Sequence, residues 1–189
     1  MSAYIKPKTG FTLFTYGDIL VELSTYVENV PMAGQDTTIE EFRMLPGGSA
    51  ANCAVSAARL GTQAKQIGLV GQDSFAKMLL DDLNLSGVST ELISCIPGIS
   101  AFAVIIVDAN GERTMLSYRD LSTTKITKSL ARICLSKRDY LHVSGYAFQT
   151  EHTGQIANNL LIKARAAGTT MSCSTRTSPR AWWAPQAKG

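Results

Sequence analysis

The feature that most constrains the fold is the alternation of short apolar runs with longer helical patterns along the chain. Apolar runs at residues 11–16, 64–70, 140–144 and 169–173 predict strands. Helical patterns at residues 49–60, 73–85, 128–135 and 150–167 separate most of them, with Asp73 as a helix cap and Gly61 and Gly87 as helix ends. Parallel strands need such helical crossovers, so the order predicts an α/β fold with a mainly parallel sheet. Residues 19–23 are expected to continue the first strand.

A hairpin in the middle of the chain does not fit this alternation. Residues 100–107 and 113–118 are apolar runs joined by the segment Asp108-Ala-Asn-Gly111, and Asn-Gly between such runs is typical of a tight hairpin turn. Residues 37–44, which follow a break at Pro31 and Gly34, predict a peripheral strand. We therefore expect a second, small sheet beside the main one.

Composition and charge exclude several classes of protein. The chain has 189 residues, enough for one domain or part of a larger one. Its net charge is +3 and no Lys/Arg run exceeds two residues, which argues against binding of nucleic acid. The longest apolar run, residues 101–107, is far below the roughly 20 residues of a membrane-spanning helix.

The N-terminus and the cysteines together indicate a cytoplasmic protein. The first residues carry charge but no long apolar stretch, so no signal peptide is predicted. The cysteines are far apart, without a C-x-x-C motif, which disfavours a zinc site or a disulfide framework and suits a reducing compartment. They are Cys53, Cys95, Cys134 and Cys173.

The segment from Leu45 to Gly61 is the strongest candidate for a ligand site. Gly47 and Gly48 precede a helix of small residues, where glycines let the backbone approach a ligand and the helix start presents unpaired N–H groups. Asn52, one turn into the helix, can donate and accept hydrogen bonds, which suits sugar hydroxyls. A glycine turn that only lets the helix pack closely on a sheet explains the same residues, and both interpretations remain open at this point.

A longer series of motifs resembles the N-terminal signature of the PfkB (ribokinase-like) carbohydrate kinases. The similarity covers residues 13–173. It rests on Gly47-Gly48-x-x-x-Asn52-x-Ala54, Leu60-Gly61 and Gly68-x-x-Gly71-x-Asp73, together with residues 17–22, 108–114, 118–119 and 140–145.

The resemblance implies a fold and an activity. The fold is a three-layer α/β/α arrangement with a mainly parallel sheet and a small β-lid, whose strands are expected at about residues 31–45 and 100–119. The activity is phosphoryl transfer from ATP, with Mg²⁺, to a hydroxyl of a small-molecule sugar. Lid closure would exclude water from that reaction. Because lid sheets of the family often pair between subunits, a homodimer through the lid is a further expectation.

The resemblance also implies which residues bind the sugar hydroxyls. Gly47, Gly48 and Asn52 match the family motif, and Glu22 occupies a position where the family more often has aspartate. Asp18 is the nearest other carboxylate in sequence, with a cap at the end of a strand as the alternative role.

Tyr118 and Arg119 resemble a substrate-contacting pair in members that take keto-sugars or sugar acids. A plain surface arginine is the alternative interpretation of Arg119.

The motifs that carry phosphoryl transfer in this family do not occur in the sequence. It contains neither the family's Asn-x-x-Glu motif, which organises Mg²⁺ and the phosphates, nor the Asp-Thr-x-Gly-Ala-Gly-Asp segment with the catalytic aspartate. We therefore predict that residues 1–173 form the N-terminal portion of a sugar kinase domain without kinase activity of its own, and that residues 174–189 are a tail foreign to the family. A non-catalytic sugar-binding or interaction module, or a non-functional fragment, are the alternatives.

Overall fold

The computed structural model describes residues 10–119 and 131–174. In chain order, its elements are β1 (Thr12–Tyr16), β2 (Leu20–Tyr26), β3 (Glu41–Gly47), α1 (Ser49–Arg59), β4 (Gln63–Val70), α2 (Ser74–Leu85), β5 (Val88–Cys95), β6 (Phe102–Val107), β7 (Arg113–Tyr118), β8 (Tyr140–Val143), a short 3-10 helix (Gly145–Phe148), α3 (Glu151–Ala167) and β9 (Thr170–Cys173).

In the described part of the chain, the main sheet has five parallel strands in the order β5-β4-β1-β8-β9, with helices on both faces. Side chains alternate across a strand, so Ala64 and Val70 of β4 pack with α1 and α2, whereas Ile67 and Leu69 belong to the core that includes α3. The predicted three-layer α/β/α fold with a mainly parallel sheet is confirmed.

The second sheet, called the lid sheet below, has four strands among the described residues, in the order β3-β2-β6-β7. Strands β6 and β7 form the predicted antiparallel hairpin, and β2 pairs antiparallel with β3 and parallel with β6. The predicted second sheet is therefore present.

Several sequence predictions differ from the observed elements. Residues 19–23 do not continue the first strand, because the backbone turns at Gly17 (φ 150°) and β2 enters the lid sheet instead. The lid strand expected at about residues 31–45 begins only at Glu41. Strand β5 was not predicted, since only Val88 and Leu92 of its eight residues are buried and it has no continuous apolar run. Apolar runs alone therefore miss amphipathic and sheet-changing strands.

Helix ends follow the predicted signals. The Asp73 side chain accepts a hydrogen bond from the backbone N–H of Ala76 at 2.8 Å at the start of α2. Gly61 and Gly87 follow α1 and α2 with φ of 88° and 82°, a left-handed conformation that favours glycine. Of the helix predicted over residues 128–135, the first three residues lie outside the described part, and residues 133–135 are not helical. The predicted tail from residue 175 onward also lies outside it.

Among the described helices, none combines the length and apolar character needed to cross a membrane.

Candidate functional site

A cleft of about 320 Å³ lies between the carboxyl edge of the main sheet and one face of the lid sheet. Ligands of open α/β sheets bind outside the carboxyl ends of the strands, and this cleft has that location. The described residues that line it are Asp18, Leu20, Glu22, Gly48, Ser49, Asn52, Ala103, Met115, Ser117, Arg119, Tyr146 and Gln149.

Two glycines bring the walls of the cleft together. Gly48, at the start of α1, has φ 105°, and a Cβ there would overlap the carbonyl oxygen of Asp18 and lie 2.8 Å from its carbonyl carbon. A Cβ on Gly17 would lie 2.6 Å from Cβ of Ser144, just after β8. The ends of β1 and β8 and the start of α1 therefore meet only because these positions lack side chains.

Hydrogen-bond donors line the α1 side of the cleft. The first N–H groups of α1 have no intrahelical partner, as at any helix start, and Gly48 has no side chain to cap them. Asn52 is exposed one turn further on, and no described residue hydrogen-bonds its side chain. The hydroxyls of Ser49 and Ser144 form a hydrogen bond of 2.5 Å beside this helix start. This wall thus offers amide and N–H groups to a polar ligand.

A half-buried carboxylate faces these donors from the lid sheet. Glu22 lies on β2, and a Cβ on Gly47 of the neighbouring strand would come within 2.7 Å of the Glu22 Cδ. Gly47 therefore does not line the cleft itself but leaves the space that the Glu22 side chain occupies. The structure brings the sequence-predicted Glu22, Gly48 and Asn52 to one cleft.

Asp18 and Arg119 form an ion pair between the main sheet and the lid. The Arg119 Nε donates to Asp18 Oδ2 at 2.7 Å, and the two side chains are only 19% and 10% exposed, respectively. The Arg119 guanidinium also lies 5.7 Å from the ring centre of Tyr146, within cation–π distance. Asp18 is thus engaged by a lid residue, and Arg119 is not a plain surface arginine.

Tyr118 lies outside the cleft. Consecutive strand residues point to opposite faces, so Arg119 is directed towards the cleft and Tyr118 to the other face of the lid sheet. There Tyr118 stacks on Phe102 with ring centres 5.2 Å apart. The predicted Tyr118–Arg119 pair is therefore divided between two faces.

Several lining residues were missed by sequence reasoning. Ser117 and Met115 lie two and four positions before Arg119, and the alternation of side chains along a strand predicts that both share its face. Tyr146 and Gln149 follow β8, where no sequence motif marked them.

Burial raises the pKa of Tyr16 beneath the cleft, and the nearby Asp18 carboxylate raises it further. The Tyr16 hydroxyl donates to the backbone carbonyl of Thr153 at 3.2 Å. Tyr16 therefore stays protonated and serves the packing of β1 against α3.

The described residues contain no group of three or more His, Cys, Asp or Glu side chains positioned to hold a metal ion.

Comparison with known proteins identifies the family. The model of the pfkB family carbohydrate kinases matches residues 11–187, which extends beyond Cys173 into the predicted tail. A ribokinase of Bacillus subtilis (strain 168) is 32% identical over 100 residues, 53% of this chain and 34% of that protein. A probable fructokinase-3 of Arabidopsis thaliana is 25% identical over 177 residues, 92% of this chain and 50% of that protein.

A solved structure has a similar fold. The fructokinase from Xylella fastidiosa with bound ATP has a TM-score of 0.71 and 23% identity, covering 94% of this chain and 55% of that one. The chain thus spans between a third and about half of the length of these proteins. Because the family model matches most of the sequence, the chain belongs to the pfkB family of carbohydrate kinases.

Proposed function

We propose that this chain forms the sugar-binding part of an ATP-dependent sugar kinase, which transfers the γ-phosphoryl group of ATP to a sugar hydroxyl. The observation that carries the proposal is the pair of polar side chains, Glu22 and Asn52, that face one cleft without a described hydrogen-bond partner. The relatives named ribokinase and fructokinase support a sugar as the acceptor.

Each wall of the cleft has a distinct part in binding the acceptor. The Glu22 carboxylate accepts hydrogen bonds from hydroxyls, Asn52 both donates and accepts, and the first N–H groups of α1 donate. Gly48 keeps this helix start close to Asp18, and the backbone of Gly47 leaves room for Glu22. The lid residues Met115 and Ser117 cover the bound sugar and reduce its contact with water.

ATP and Mg²⁺ are the cofactors of the proposed reaction, and the Xylella fastidiosa fructokinase with bound ATP supports the choice of nucleotide. The sequence lacks the motifs expected to organise Mg²⁺ and to activate the hydroxyl. We therefore expect no ATP-dependent phosphorylation by these 189 residues alone. The cytoplasm is the proposed compartment, because widely spaced cysteines without a C-x-x-C motif suit a reducing environment.

A homodimer through the lid sheet is part of the proposal. The face of the lid sheet that points away from the cleft exposes apolar side chains, with Phe42, Met44 and Leu116 at 56%, 47% and 61% exposure. Exposed apolar side chains on one face of a sheet are typical of an interaction surface. Size-exclusion chromatography with light scattering tests it: Leu116→Lys is expected to give a monomer. Ile162 on α3 has a similar exposed fraction, 66%, and Ile162→Lys is expected to leave the molecular mass in solution unchanged.

Isothermal titration calorimetry with D-fructose and D-ribose tests the sugar-binding proposal. At least one sugar is expected to bind, and Asn52→Ala is expected to weaken that binding by about tenfold, the effect of roughly 1.4 kcal/mol. Asn159→Ala, an exposed asparagine on α3, is the matched control and should bind like the wild type. Equal loss in both variants, or no binding of either sugar, contradicts the proposal. Product formation from ATP by the purified chain contradicts the expected lack of activity.

A further inference from the structure

We propose that Glu22 makes the cleft discriminate acceptors by charge, so that neutral or cationic polyhydroxy compounds bind and carboxylates are rejected. The inference rests on the proposed sugar-binding function and names the class of acceptor. It follows from which charged side chains in the cleft are already paired and which are not.

The charged lining residues of the described cleft are Asp18, Glu22 and Arg119. Asp18 and Arg119 neutralise each other at 2.7 Å, and both side chains are largely shielded from water. A carboxylate ligand can use the Arg119 guanidinium only by competing with Asp18. Arg119 is therefore a positioning residue that joins the lid to the main sheet and does not provide a free positive charge for the ligand.

Glu22 has no such counter-charge among the residues that the structure describes. Its cross-strand neighbours on the two adjacent strands are Leu45 and Ala103, neither of which carries charge. Arg43, on the same face of the lid sheet, pairs with Glu41 at 2.6 Å. The paired and unpaired groups together leave the described cleft with one net negative charge, located at Glu22.

The start of α1 does not cancel this charge. A helix N-terminus carries roughly half of one positive charge, whereas the Glu22 carboxylate carries a full negative charge. Two carboxylates within one small cleft repel each other strongly when water is partly excluded. An ammonium group on the ligand is attracted by the same field, and a hydroxyl hydrogen-bonds the carboxylate without any charge penalty. Glu22 thus favours hydroxyl and amino groups over carboxylates.

Three compounds with one carbon skeleton test the inference. D-Fructose, 1-amino-1-deoxy-D-fructose and 2-keto-D-gluconate differ only at carbon 1, which carries a hydroxyl, an ammonium or a carboxylate. The affinities are measured by isothermal titration calorimetry of the full chain at low ionic strength. We expect 2-keto-D-gluconate to bind at least about tenfold more weakly than D-fructose, and 1-amino-1-deoxy-D-fructose to bind at least as tightly as D-fructose.

Variants assign the discrimination to Glu22. Glu22→Gln should bring the three affinities to within about threefold, whereas Glu22→Asp should keep their order because the charge is retained. Glu28→Gln removes an exposed carboxylate of the segment after β2 and is expected to change nothing. Equal affinities for all three compounds in the wild type overturn the inference and leave the sugar-binding proposal intact. An unchanged order in Glu22→Gln overturns the role of Glu22. Failure of all three compounds to bind the wild type overturns the proposed function and this inference with it.

Discussion

Replacing Gly48 with alanine tests how the cleft is built. Gly48 has φ 105° and ψ 128°, a conformation that residues with a side chain rarely adopt. Holding alanine there costs about 1–3 kcal/mol of folding free energy. The added Cβ also overlaps the carbonyl oxygen of Asp18 and lies 3.3 Å from the Cα of Ile19, so backbone rather than a flexible side chain must move.

The two contributions add to a large loss of stability. Overpacking against atoms that cannot rotate away costs about 1–3 kcal/mol in addition to the conformational term, so Gly48→Ala should lower the free energy of unfolding by about 2–6 kcal/mol. The total stability of a domain is only about 5–15 kcal/mol. Urea unfolding followed by circular dichroism measures this loss.

Gly111→Ala is the matched control. Gly111 lies in the turn between β6 and β7 with φ 81°, but no atom of the described residues lies within 4 Å of a Cβ placed there. Its loss should be limited to the conformational cost of about 1–2 kcal/mol. The excess loss in Gly48→Ala then measures the close approach of α1 to Asp18. Equal losses in the two variants would refute the argument that this contact constrains the cleft.

Three further predictions concern charged or titratable side chains. A double-mutant cycle of Asp18→Asn and Arg119→Gln should give a coupling energy of about 1–3 kcal/mol in urea unfolding, because the ion pair is shielded from water. A coupling energy near zero would mean that the pair behaves like an exposed surface salt bridge. Burial raises the pKa of Asp73, but hydrogen bonds from Ser100 and Ala76 outweigh the effect of burial, and the net result is a lowered pKa. The Asp73 carboxylate therefore stabilises the fold at a pH above its pKa in the unfolded chain, and this stability is lost as the pH falls through its pKa in the folded protein. Asp73→Asn should flatten that acid-side loss in unfolding experiments between about pH 5 and 2. Burial lowers the pKa of His142, so as the pH falls the imidazole is protonated in the unfolded chain at a higher pH than in the folded protein. The free energy of unfolding therefore decreases below about pH 6.5. His142→Gln should reduce this decrease, and an unchanged pH profile of stability would contradict the prediction.

Much of the fold was predictable because its signals are local. Helix caps at Asp73 and Gly61, and the turn at Gly111, depend on the conformational preferences of single residues. The main parallel sheet follows from the alternation of strands and helices. Strand β2 was not predictable as a lid strand, because its residues do not indicate which sheet completes their hydrogen bonds.

The candidate site divides in the same way. Motif spacing alone marked Glu22, Gly48 and Asn52, since the family resemblance is a property of the sequence. Only the tertiary structure decided that Asp18 and Arg119, 101 residues apart, form an ion pair.

The roles of the lid residues also required the tertiary structure. Sequence adjacency suggested that Tyr118 and Arg119 act together, whereas Tyr118, the last residue of β7, stacks on Phe102 and Arg119, which follows it, lines the cleft. The charge left in the described cleft, carried by Glu22, was likewise decided by pairing between distant strands. The sequence by itself thus determined the family, the main sheet and the residues at the helix start. Which charges meet and which remain unpaired depends on contacts between elements far apart in the chain, and these contacts exist only in the folded protein.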